Sequence, residues 1–183
     1  GYLVRDEDFG VDGNQLALGG RLVDLRTPTT IYPEVFVPLH GRHQADNAAV
    51  ALTAVEAFFA APLAADVVAE GFATVQMPGR FEVMGPQPLV IVDGAHNPAG
   101  ADVCASVFFD DFEPAGRRLL VVGCLRGRDP TDLLAALRAD EFDLVVAVTP
   151  PSPRGRPAEE VAAAARALGC EEVRACPTVA DGI

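Results

Sequence analysis

The sequence predicts an α/β protein whose later part is a mostly parallel sheet with flanking helices, preceded by a small β-meander and two helices. Three observations carry this. From Arg80 onward, short apolar runs at 89–93, 118–123, 143–148 and about 172–175 alternate with helix-like segments at about 98–110, 130–139 and 157–168. Three of the loops after strands run into proline-led helices, at Asn97-Pro98, Asp129-Pro130 and Arg156-Pro157. The first 38 residues, by contrast, alternate polar and apolar side chains between glycine-rich turns. Strand–helix alternation implies parallel strands joined by crossovers, a Rossmann-like layer, whereas the opening segment reads as an antiparallel meander.

The elements follow in order. Gly10 to Gly13 and Leu18-Gly19-Gly20 bracket the alternating Gln15-Leu16-Ala17-Leu18; Arg21 to Arg26 alternates likewise, and Glu34 to Pro38 is a third strand. A helix follows over the rest of 39–60, with Asn47, Val50, Ala51, Ala54, Val55 and Phe58 recurring at helical spacing and Pro62 marking its stop. A second runs from about Ala64 to Val75, with Val67, Val68, Gly71 and Phe72 on its expected buried face. Pro78-Gly79 breaks the chain, and the domain boundary is expected there, separating 1–78 from 79–183. At 89–93, five residues of buried-strand character lead into Gly94-Ala95-His96. Asn97 then suits an N-cap, and Pro98 suits the first helical position, where its missing N–H has no intrahelical partner.

Composition excludes several classes. Half of the 183 residues are hydrophobic, enough for a sizeable core, and the net charge of −12 argues against nucleic acid or an anionic membrane as the main partner. No apolar run approaches the roughly 18–20 residues that span a bilayer, and the N-terminus has no basic-then-apolar leader. Cys104, Cys124, Cys170 and Cys176 are scattered without a CxxC pair, which fits reduced core thiols of a cytoplasmic protein. No metal-ligand cluster emerges. All 14 basic residues are arginine. A P-loop needs its lysine, so no GxxxxGK[ST] exists in this chain.

Chemistry-bearing residues gather in loops expected at the carboxyl edge of the sheet, where ligands of open α/β sheets bind. Asp93 and His96 share one such loop beside a helix N-terminus that favours an anion. Arg126 and Arg128 follow the next strand, and Arg154 and Arg156 the one after; guanidinium forks match carboxylates and phosphates, although solvated loop charge is the plain alternative. Near the start of the first helix, His43, Gln44 and Asn47 are spaced to share one face. That spacing fits polar N-terminal capping as well as recognition of a ligand. Asp93 could equally cap its own turn through its side chain, and Arg80 could pair with Glu82 at the surface.

Two stretches carry a resemblance. Pro78-Gly-Arg-Phe-Glu82, an apolar strand and Asp93-Gly-Ala-His-Asn-Pro-Ala-Gly100 resemble the signature of the folylpolyglutamate synthase/dihydrofolate synthase family within the Mur ligase superfamily. Leu39-His-Gly-Arg-His-Gln-Ala-Asp-Asn-Ala-Ala49 resembles that family's LxGxHQxxNAA segment, in the same order and at about the same spacing. The resemblance covers nearly all of this chain, but only the later half of such an enzyme. It implies that 1–78 is the tail of a central ATP-binding domain and 79–183 a glutamate-ligase domain that continues past Ile183.

The activity so implied is ATP-dependent addition of L-glutamate to folate or dihydropteroate through an acyl phosphate, with Mg2+ whose ligands are expected mainly outside this chain. By resemblance Asn47 recognises the base, Arg80 reaches the triphosphate, and Asp93 contacts the ribose or orients His96. His96 faces the acyl phosphate or the incoming amine, and Gln44, Arg126, Arg128 and Arg154 are candidates for substrate or anion binding. The family has Lys-Asp where this chain has Arg128-Asp129. The implied partners are small molecules, with no nucleic acid and no membrane, and the full-length enzyme is expected to be a cytoplasmic monomer. Without a P-loop the chain alone is expected to be inactive. A ligase for muramyl peptides or a cyanophycin-type polymer, or a non-catalytic nucleotide-binding module, are the alternatives.

Overall fold

The opening meander forms, but its strands differ from those expected: residues 10–13 lie within the first strand instead of bracketing it, and Leu16 and Leu18 are exposed. In the computed structural model, which describes residues 1–113 and 116–183, β1 (Gly10–Ala17), β2 (Gly20–Arg26) and β3 (Ile31–Val37) pair antiparallel in the order β1-β2-β3. The β1–β2 turn needs Gly19, whose φ is +77°. A side chain at Gly20 would run into the carbonyl of Val37 on the neighbouring strand. Val23, Leu25, Tyr32, Val35 and Val37 form the buried face of this sheet.

That face is covered by α1 (His43–Phe59) and, in part, by α2 (Ala65–Ala73). The stripe of α1 that reveals its helical period is not the stripe that meets the sheet. Ala45, Ala48, Ala49 and Leu52 are buried, while Val50, Val55 and Phe58 are exposed, Phe58 by 82%. Small residues let the helix approach the strands closely, and hydropathy alone favours the opposite face. On α2 the expected apolar face is narrower than its sequence suggests: Val68 is buried and Phe72 packs partly, but Val67 is exposed. Glu56, also on the inner face of α1, is only 4% exposed. It accepts hydrogen bonds from the hydroxyls of Tyr32 and Thr29 and from the amide of Leu63. A buried carboxylate is tolerated when its acceptor capacity is filled in this way.

The segment expected to open the parallel sheet does something else. β5 (Leu89–Val92) pairs antiparallel with β4 (Glu82–Pro86) in a two-stranded hairpin, with Glu82 opposite Val92. An apolar run of four or five residues specifies a strand but not its partner, and here the short connection at 87–88 closes it onto the preceding strand. This hairpin belongs to a first compact unit, Gly1–Gly94; the second is Ala95–Ile183.

In the second unit, β6 (Leu119–Val122), β7 (Leu144–Val148) and β8 (Val173–Cys176) form a parallel sheet in that order. All five residues of β7 are buried, as expected of a central parallel strand covered on both faces. Its helices are α3 (Pro98–Ser106), extended by a π-type turn at Val107–Asp111, α4 (Pro130–Ala136), α5 (Ala158–Ala167) and the single turn α6 (Val179–Gly182). One core joins Val145 and Ala147 to Leu133, Leu134, Val161 and Ala162; on the other face Leu144, Val146 and Val148 meet Cys176 and Val179. Proline-led starts hold for α3 and α4. In α5 the proline is the N-cap itself, and Thr149 Oγ1 accepts the amide of Ala158 at 3.0 Å.

Candidate functional site

In the first unit the site begins with a turn. Gly79 has φ +69° and Phe81 has φ +46°, so Arg80 sits between two left-handed residues, one of them a bulky non-glycine. Carboxylates hold both flanking amides: the Gly79 N–H donates to Glu82 Oε2 at 2.8 Å and the Phe81 N–H to Asp93 Oδ2 at 2.7 Å. The Gly94 amide donates to the carbonyl of Gly79 at 2.8 Å, prolonging the hairpin base. Phe81 itself is buried and meets the ring of His40 edge-on at 5.9 Å. The guanidinium of Arg80 is exposed and has no hydrogen-bond or ion-pair partner among the described residues. The surface pair between Arg80 and Glu82 does not form among those residues, because Glu82 is turned onto Gly79. A cavity of about 390 Å³, lined by Leu39, His40, Thr74, Met77, Arg80 and Phe81, opens beside this turn.

The first turn of α1 supplies the polar face expected from spacing. Asn47 is exposed and its Nδ2 donates to Oε1 of Gln44 at 3.0 Å, while Gln44 is buried. Arg42, the N-cap, makes no side-chain cap bond. His43 is half-buried. Burial lowers its pKa, while the charges of Asp93 and Asp46 pull it back up, and the balance lies below the ordinary imidazole value. Sequence reasoning gave His43 only a shared face with Gln44 and Asn47, gave Glu82 only a surface pair with Arg80, and gave Gly94 no role. The first lies inside the HQxxN segment and the other two inside or beside the PGRFE and DGAHNP motifs, so position in a motif was the available signal.

In the second unit His96 is exposed and immediately precedes Asn97, whose Oδ1 caps α3 by accepting the Gly100 amide at 2.8 Å. The loops after β6 and β7 are zipped together. Leu125 and Gly155 form an antiparallel bridge, the Arg126 amide donates to the Arg154 carbonyl at 2.8 Å, and the Arg156 amide donates to the Cys124 carbonyl at 2.8 Å. Thus Arg126, Arg128 and Arg154 share one loop pair, as the sequence suggested. All three side chains are exposed and without an ion-pair partner among the described residues. Arg156 plays a different part: its Nη1 pairs with Glu160 Oε2 at 2.6 Å and its Nη2 donates to the Arg128 carbonyl at 2.8 Å, making it a strut for the loop. Asp129 caps α4 through the Thr131 amide at 2.8 Å. None of the four cysteines forms a disulfide, and burial raises the pKa of Cys124 and Cys170. Among the described residues no group of three or more His, Cys, Asp or Glu could hold a metal ion, and no helix is long and apolar enough to cross a membrane.

This arrangement has counterparts among known proteins. Dihydrofolate synthase/folylpolyglutamate synthase of Mycobacterium tuberculosis is 40% identical over an aligned length of 185, covering 97% of this chain and 37% of that protein. The structure of Mycobacterium tuberculosis folylpolyglutamate synthase complexed with ADP superposes with a TM-score of 0.90 at 41% identity, covering 97% of this chain and 40% of that one. A bifunctional folylpolyglutamate synthase/dihydrofolate synthase with Mn, AMPPNP and L-glutamate bound has a TM-score of 0.73 at 25% identity, covering 96% of this chain and 39% of that one. The chain therefore spans about two fifths of the length of these relatives. The family model of the Mur ligase glutamate ligase domain matches residues 79–183, more than half of the sequence, and the chain belongs to that family.

Proposed function

We propose that this chain is the nucleotide-contacting hinge and glutamate-handling part of an ATP-dependent ligase that joins L-glutamate to folate or dihydropteroate. A carboxylate is a poor electrophile; ATP converts it to an acyl phosphate, which the amine of glutamate attacks. Such chemistry depends on positioning and on cancelling phosphate charge. The observation that carries the reading is the exposed guanidinium of Arg80, without a hydrogen-bond or ion-pair partner among the described residues, on a turn whose flanking amides are both held by carboxylates. An arginine so presented suits a phosphate.

The other roles follow. Asn47 recognises the base, with buried Gln44 orienting its amide. Asp93 contacts the ribose while anchoring the Phe81 amide. His96 faces the acyl phosphate or the incoming amine. Arg126, Arg128 and Arg154 take the carboxylates of glutamate or of the acceptor, a role supported by three cations on one bridged loop pair without an ion-pair partner among the described residues. Mg2+ is held mainly by residues outside this chain. The functional domain begins at Gly79, a boundary supported by the start of the family match, and the assembled enzyme acts as a monomer in the cytoplasm.

The test is a chimera in which this chain follows the portion of the Mycobacterium tuberculosis relative that it does not span. ATP-dependent incorporation of labelled glutamate into a folate acceptor is expected. A chimera that melts cooperatively yet incorporates nothing would overturn the reading.

A further inference from the structure

The geometry points to Glu82 and Gly94 as positioning residues for Arg80: Glu82 fixes the backbone from which Arg80 projects, and Gly94 leaves the space its guanidinium occupies. This rests on the reading of Arg80 as a phosphate contact, and deepens it.

Left-handed conformation is costly for a non-glycine residue and persists when the surroundings over-determine it. At Phe81 they do. Its amide is taken by Asp93, its ring is buried against His40, and the hairpin ladder starts at the next residue. On the other side of Arg80, Gly79 is held twice, through its amide by Glu82 and through its carbonyl by the Gly94 amide. Arg80 donates its own amide to the Met77 carbonyl at 3.1 Å. Its Cα is therefore fixed from both sides, and a long side chain so rooted loses less freedom on meeting a ligand. Glu82 is the one member of this set with no other assigned duty.

Gly94 acts through volume. A Cβ there would lie 3.1 Å from Arg80 Nη1 and 3.3 Å from the Gly79 carbonyl oxygen. The guanidinium thus passes directly over the Gly94 backbone. The nearer atom is the end of a flexible side chain, so Gly94→Ala displaces Arg80 at little cost to the fold.

The experiment uses the 183-residue chain, with 15N relaxation of the Arg80 Nε as the first readout and ADP titration as the second. Wild type and Glu82→Gln, which keeps an acceptor for the Gly79 amide, should show an ordered Nε. Glu82→Ala should show a mobile one, and Gly94→Ala should shift its resonance. ADP should bind about three- to tenfold more weakly to Glu82→Ala and Gly94→Ala, and neither change should weaken binding further in an Arg80→Ala background. An Arg80 Nε equally ordered in wild type and Glu82→Ala, and unshifted in Gly94→Ala, would overturn the inference. If the order changes as expected but Arg80→Ala leaves ADP binding intact, the positioning stands and the phosphate role of Arg80 fails.

Discussion

Glu56 shows how a single side chain ties the first unit together. Burial alone would raise its pKa, but hydrogen bonds from Tyr32, Thr27, Thr29 and the Leu63 amide outweigh this and hold it below the ordinary glutamate range. Tyr32, buried and bonded to that carboxylate, is pushed up to about 12. His43 is depressed by burial. The signs follow from linkage. A depressed glutamate or histidine contributes stability that is present above its unfolded pKa and is lost as pH falls through the folded value. A raised tyrosine contributes stability present below its unfolded value of about 10 and lost as pH rises through the folded value. Thermal melts of this chain should therefore show a plateau between about pH 6.5 and 10, with one acid decline from His43 and a later one from Glu56. In His43→Gln the first decline should vanish. Glu56→Ala should cost about 2–3 kcal/mol at neutral pH, because the Tyr32 hydroxyl and Leu63 amide lose a charged acceptor. Urea titration at pH 7 measures this, and a loss near zero would show the network to be dispensable.

Helix ends were the most legible elements. Asn97 and Asp129 cap α3 and α4 as their Asn-Pro and Asp-Pro dipeptides indicate. Asn97→Ala should cost about 1 kcal/mol, read as a lowered denaturation midpoint with an unchanged slope; no change would mean that the cap bond is replaced by water. The existence and antiparallel pairing of the meander were legible as well, although register shifts at Val11/Gly13 and Val23/Leu25 interrupt its alternation. Two features were not. The inner face of α1 is built from alanines and a satisfied glutamate, so its hydropathy points the wrong way. The strand at 89–92 was read as parallel because its apolar run ignores its neighbour. Yet Glu82-Val-Met-Gly-Pro, a Gln-Pro connection and Leu-Val-Ile-Val form a hairpin pattern that could have been recognised. At the site, motif residues were identified by type, but the left-handed backbone at Phe81 and the amide held by Glu82 depend on contacts that no local pattern encodes.

Taken as one chain, the protein carries arginines that suit phosphates and carboxylates but no lysine at all. It spans about two fifths of relatives that include an ADP-bound enzyme. No glutamate incorporation is therefore expected when the chain alone meets ATP·Mg2+, a folate and labelled glutamate; robust turnover by the isolated chain would contradict the division of labour. The most direct test of the central claim separates the two ends of the reaction in the chimera with the Mycobacterium tuberculosis portion. If Arg80 contacts phosphate as proposed, Arg80→Ala removes a charge-assisted contact worth about 1.5–3 kcal/mol and should raise the KM for ATP accordingly. With His96 facing the acyl phosphate or the incoming amine, as proposed, His96→Ala should lower kcat while ATP affinity and melting temperature stay close to wild type. If His96→Ala instead leaves kcat intact and lowers the melting temperature sharply, His96 is a structural loop residue and the account of the reaction is wrong.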